Sequence, residues 1–103
     1  MTKISFSRGS ACQRLRLCGH ATGSERICAA VSGIVYSLLG YLANQEEESQ
    51  STAEDGYAAI QAGRSPALDA AFDTAVIGLA QIAKAEPDYV QVTARTYGAK
   101  RPG

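Results

Sequence analysis

Gly19–Leu42, GHATGSERICAAVSGIVYSLLGYL, is the stretch on which the fold of this chain turns. Ile27, Val31, Ile34, Val35, Leu38, Leu39 and Leu42 recur at three- and four-residue steps, the stripe of a helix that buries one broad face. Thr22 and Ser24 both qualify as its N-cap, and Thr22 with Glu25 three residues on has the form of a capping box. Either choice leaves Cys28 in the first turns, where the unpaired N–H groups and positive end of the helix dipole favour a thiolate over a thiol. The chain's only histidine, His20, stands eight positions earlier.

Upstream of this stretch, Lys3–Ser7 alternates with Ile4 and Phe6 on one face, Arg8, Gly9 and Ser10 make a turn, and Cys12–Cys18 alternates again. In the second run Cys12, Arg14, Arg16 and Cys18 face one way and Gln13, Leu15 and Leu17 the other, so the pair reads as a hairpin that delivers Gly19 and His20 to the rim of a sheet. The helix should run from about Ser24 to Asn44. Gly33 and Gly40 in its interior each cost roughly 1 kcal/mol relative to Ala, which points to close packing against the sheet or a second subunit.

Downstream, Asn44–Asp55 is polar and acidic, either a frayed helix end or a surface loop, with part of Gln50–Glu54 available to pair with the strand that follows. Asp55-Gly56 signals a turn and Tyr57–Ala62 a short strand. Ser65 as N-cap with Pro66 at the first helical position starts a second helix to about Ala85, burying Leu68, Phe72, Ala75, Val76, Leu79 and Ile82, and Pro87 stops it. Tyr89–Tyr97 alternates with β-branched and aromatic residues as a last strand. The order β-β-α-β-β-α-β implies an α+β fold: a single two-layer domain over residues 1–103, with a four- or five-stranded, mostly antiparallel sheet and two helices packed on it.

Length allows one core but not two. Ten basic and ten acidic residues give a net charge of zero, so no global field recruits nucleic acid or an acidic membrane surface. The arginines alternate on one short strand without an aromatic stacking platform, so no direct nucleic-acid partner is expected. TKISFSRGSA lacks the apolar core of a signal peptide, and Ser32, Gly33, Ser37 and Gly40 interrupt the first helix, which reads as too short and too polar for a membrane span. A cytoplasmic protein with Cys12, Cys18 and Cys28 reduced is the expectation.

Cys28, Ala29, Ala30, Val31 and Ser32 open the apolar helix as CAAVS, a short way after Gly19, His20 and Ala21. The two motifs together resemble the signature of the ribosomal-processing cysteine protease family, Prp. The resemblance implies that His20 and Cys28 are the catalytic pair, that the bacterial protein is a compact α/β homodimer active in ribosome biogenesis, and that its substrate is large-subunit ribosomal protein twenty-seven, whose N-terminal extension it removes after aromatic residues. Two features depart from the family pattern. Only ATGSERI separates His from Cys, where the family has a longer glycine-containing segment, and Glu25 stands where the family has Asp.

A cysteine protease needs a nucleophile, a base and donors for an oxyanion. Cys28 and His20 supply the first two, and the amides of Cys28 and Ala29 are the donors expected. Ser32, one turn after Cys28, can hydrogen-bond the thiolate or back-bond to the carbonyl four residues earlier; Glu25 can orient His20, cap the helix or stay solvated. Taken alone, a cysteine at the start of an apolar helix is most often a small core residue, and a histidine after a strand a surface one. Tyr36, Tyr41 and Tyr57 could line a groove, but core packing explains them more simply. As metal ligands, Cys12, Cys18, His20 and Cys28 have spacings that match no zinc knuckle, and neither metal nor cofactor is expected. The competing reading keeps the fold and drops the chemistry, leaving a catalytically inactive homodimeric binding module in which Cys28→Ala is harmless.

Overall fold

The computed structural model describes residues 1–19, 24–45, 49–54 and 56–96. Its elements, in order, are β1 (Thr2–Arg8), β2 (Cys12–Cys18), α1 (Glu25–Ala43), β3 (Ser49–Glu54), β4 (Tyr57–Gly63), α2 (Pro66–Ala85) and β5 (Val90–Thr96). The strands form one five-stranded sheet in the order β3-β4-β2-β1-β5. It is mixed: β1/β2, β2/β4 and β3/β4 pair antiparallel, and β1/β5 pair parallel.

Chain direction explains why both helices lie on one face. β2 and β3 run the same way, as do β4 and β5, so α1 and α2 are crossover connections. The first crossover travels toward the β3 edge from one strand direction and the second toward the β5 edge from the opposite direction. The strong preference for right-handed crossovers therefore puts both helices on the same side.

The strand registers assemble the face beneath them. Ile4 lies opposite Leu17, Phe6 opposite Leu15, and Leu15 opposite Ile60, and each of these is buried. From above, α1 contributes Ile27, Val31, Val35, Leu38 and Leu42, and α2 contributes Leu68, Phe72, Ala75 and Leu79. Val76 and Ile82 are only half-buried at the edge of this core. Phe6 and Phe72 meet across the layers with ring centroids 6.1 Å apart. On the opposite face Lys3, Ser5, Cys12, Arg14 and Arg16 are exposed.

α1 is long and apolar enough to cross a membrane, contrary to the reading that it is too short and too polar. Its buried stripe, seated on the sheet, accounts for that composition instead. Gly33 and Gly40 do not mark close packing within the chain, because a side chain at either would meet nothing within 4 Å. The close approach is at Gly78 on α2, where an added Cβ would lie 3.1 Å from Ile34 Cδ1. The acidic linker is part strand: all of β3 is exposed yet pairs with β4 along its length.

At the end of the sheet where β2 begins, Gln13 is 1% exposed and every polar atom of its amide is engaged. Its oxygen accepts from Arg8 Nε and Nη2 at 3.0 and 2.8 Å, and its Nε2 donates to the Gly63 carbonyl and Asp69 Oδ1, both at 2.9 Å. Arg64 donates to both carboxylate oxygens of Asp69 at 2.8 Å, and Arg8 Nη2 pairs with Asp73 Oδ1 at 2.8 Å. These bonds moor the first turn of α2 to β1 and β2.

Candidate active site

Ser24 caps α1: its backbone is extended (φ −143°, ψ 98°) and its Oγ accepts from the Ile27 amide at 3.3 Å. Cys28 is thereby fixed as the fourth helical residue, half-buried against the core. At the other end of the linking segment, β2 finishes at Cys18 and Gly19 turns the chain with φ +89°. The Gly19 amide donates to the Gly56 carbonyl at 2.8 Å, tying the β2 end to the β3–β4 turn. A Cβ on Gly19 would overlap the carbonyl oxygen of Met1, so the turn requires glycine for space as well as for φ. His20 lies outside the described residues.

Between the first half of α1 and the β3–β4 hairpin runs a groove of about 450 Å³, and Cys28 lines it together with Gly19 and Ser32. Its floor follows from the ladder. Ala53 is opposite Ala58, and Ala58 opposite Leu17, so two alanines and a leucine lie side by side. Small side chains on the sheet leave room above them. Val31, Val35 and Tyr36 form the α1 wall, and Glu54, Gly56 and Tyr57 bound the hairpin side.

The supporting residues fare differently. Gly19 and Ser32 share the groove with Cys28, while Glu25 and Ala29 are exposed and do not line it. The oxyanion donors expected from sequence need correction. The Cys28 amide donates to the Ser24 carbonyl at 3.2 Å, and Ala29, one residue further into the helix, has its amide directed along the i→i−4 ladder. Of the amides of α1 that have no backbone acceptor in the helix, that of Ile27 is taken by the Ser24 hydroxyl, which leaves those of Glu25 and Arg26. Ser32 does not back-bond: Ser37 and Thr74 do, to Gly33 and Ala70 at 2.8 Å, whereas the Ser32 hydroxyl has no hydrogen-bond partner among the described residues.

From the sequence, core packing is the simpler account of the three tyrosines and a groove the alternative. Tyr41 does pack against the core, but Tyr36 is 67% exposed and lines the groove, as does half-exposed Tyr57. Spacing from Cys28 was the available signal, since Ser32 and Tyr36 follow it at i+4 and i+8 on one side of the helix. Cys12 and Cys18 stand at opposite ends of a strand, about 20 Å apart at the usual rise per residue, which prevents them from sharing an ion. Among the described residues no three His, Cys, Asp or Glu side chains cluster.

No curated protein sequence matches this one. Among solved structures, the essential ribosomal processing protease Prp of S. aureus, in complex with a covalently linked product peptide, superposes with a TM-score of 0.79 at 14% identity, over 91% of this chain and 99% of that one. The same protease in complex with a substrate peptide gives 0.72 at 15% identity over the same shares. SMU.848 of Streptococcus mutans gives 0.69 at 23% identity, over 93% of this chain and 95% of that one. At these identities the likeness is one of fold, and it covers both helices and the sheet. The family model for cysteine protease Prp matches residues 1–91, the stretch that carries Gly19-His20, Cys28 and both walls of the groove, and on that match the chain belongs to the Prp family of cysteine proteases.

Proposed function

We propose that this chain is a cysteine endopeptidase that uses Cys28 as nucleophile and His20 as base to remove the N-terminal extension of large-subunit ribosomal protein twenty-seven. The observation that carries the reading is the groove: Cys28 lines it from the first turns of α1, and Gly19, the residue before His20, lines it too. The S. aureus structures are complexes with peptides, and a groove of this volume suits an extended peptide segment.

In the proposed reaction His20 takes the proton from the Cys28 Sγ, and the thiolate attacks the scissile carbonyl carbon. The C–S bond forms as the carbonyl π electrons move to oxygen, whose charge is held by donors at the helix start, the Glu25 and Arg26 amides being the ones that neither the helix nor the Ser24 cap takes up. The intermediate collapses, the C–N bond breaks, and the leaving amine takes its proton from His20. Water, deprotonated by His20, then attacks the thioester and releases the acid and the thiol. Glu25 contributes through the helix start, where a carboxylate is favoured. A ribosomal substrate is one a cytoplasmic enzyme would meet, and the resemblance to the family supports a homodimer as part of the same proposal.

The test is mass spectrometry of a peptide covering the extension of the ribosomal protein, incubated with the protein and its variants. Wild type should cut at one bond, after an aromatic residue. Cys28→Ala should abolish turnover, and His20→Ala should lower it by about two to four orders of magnitude. Wild type that binds this peptide without cutting it would instead favour the binding-module reading.

A further inference from the structure

We infer that Tyr36 is a specificity-determining residue that holds an apolar side chain of the substrate three to four residues from the scissile bond. The inference rests on the endopeptidase reading and extends it to a position that neither the motif nor the family match assigns. Tyr36 is the most exposed large hydrophobic side chain among the described residues, at 67%. Its hydroxyl has no hydrogen-bond partner among those residues, so neither the core nor a polar contact accounts for it. Yet it lines the groove that Cys28 lines.

Helix geometry sets the distance. Cys28, Ser32 and Tyr36 are spaced at i, i+4 and i+8 on α1, and eight residues of α-helix rise about 12 Å. An extended peptide covers that length in roughly three to four residues. A substrate lying along α1 with its scissile carbonyl at Cys28 therefore brings one side chain to Tyr36. Between them the floor is Ala53, Ala58 and Leu17, which offers no charge and little bulk, and Tyr57 lies on the hairpin side. Ring stacking against an aliphatic or aromatic side chain is the recognition this lining supports; an acidic side chain would find no cation among the described residues of the groove.

The experiment uses the full-length protein and the peptide of the ribosomal extension, trimmed one residue at a time from either end toward the scissile bond. Tyr36→Ala should raise KM roughly threefold to tenfold for peptides that reach Tyr36, with kcat unchanged, and should match wild type on peptides trimmed to within two residues of the bond on the side concerned. Tyr36→Phe should behave as wild type, and Tyr36→Gln, which keeps helix propensity, as Tyr36→Ala. Replacing the apolar residue at the reaching position by Asn should weaken wild type but leave Tyr36→Ala unmoved. An unchanged KM in Tyr36→Ala, or an equal effect on long and short peptides, overturns the inference and leaves the endopeptidase standing. Wild type that cleaves none of the peptides overturns both.

Discussion

Gly19 carries two constraints in one residue. Its φ of +89° disfavours any side chain, and the space a Cβ needs is filled by the Met1 carbonyl. Gly19→Ala should cost about 1–3 kcal/mol, read as a lower urea midpoint, and should lower peptidase activity further than that loss explains, because the strain falls on the bond leading to His20. A variant as stable and active as wild type would show that the end of β2 can move freely. At this scale the sequence was partly legible. The helix stripe and a choice of two caps placed Cys28 in the first turns, and Ser24 proved to be the cap. The oxyanion donors were misread although a count would have found them. From either cap, Cys28 lies beyond the last amide lacking a helical acceptor, so a nucleophile at a helix start does not thereby offer its own N–H.

Elements were read well where one face is buried and poorly where none is. α2 and β2 have the bounds their periodicity indicates, since a buried stripe alternates with exposed positions in both. β3 is exposed at every residue, so no hydrophobic pattern could reveal it; its evidence is the backbone ladder to β4, which side-chain character does not encode. The glycines of α1 were misjudged for a related reason. Helix propensity marks a glycine as costly without saying whether a neighbour requires it. Gly33 and Gly40 face open space in the chain, so Gly33→Ala and Gly40→Ala should each stabilise by about 0.5–1 kcal/mol, measured by urea unfolding. Destabilisation or loss of self-association by either would place that glycine at a contact between copies. Gly78→Ala should lack this gain, because its Cβ would press on Ile34.

Across the whole molecule, the polar cluster around Gln13 links residues that the sequence scatters: Arg8, Gln13, Arg64, Asp69 and Asp73 come from two strands, a linker and a helix. Nothing local predicts it, and only the fold brings the partners together. The Arg64 hydrogen bonds, then that of Gln13 and the charge of Arg8, hold the Asp69 carboxyl at about 2, below its ordinary 3.8. A depressed carboxylate stabilises the fold above its unfolded-state value and loses that contribution as pH falls. Stability should therefore decline from about pH 4 toward pH 2. Asp69→Asn should be less stable at pH 7 and flatter across the acid range, measured by thermal unfolding at a series of pH values; parallel curves would remove Asp69 from the account.

The parallel pairing of β1 with β5 also has a kinetic side. Thr2 is bonded in register with Val90, so β1 gains β5 as its second neighbour only after every element between them has been made. Loop closure over such a separation is slow and its entropy is lost before the contact repays it. Until then one edge of β1 stays open for strand addition by another chain. A nascent chain would accordingly depend on the β1–β2 hairpin to hold β1, and the groove, whose lining includes Thr2 of β1, would reach its final shape among the last parts of the molecule to do so.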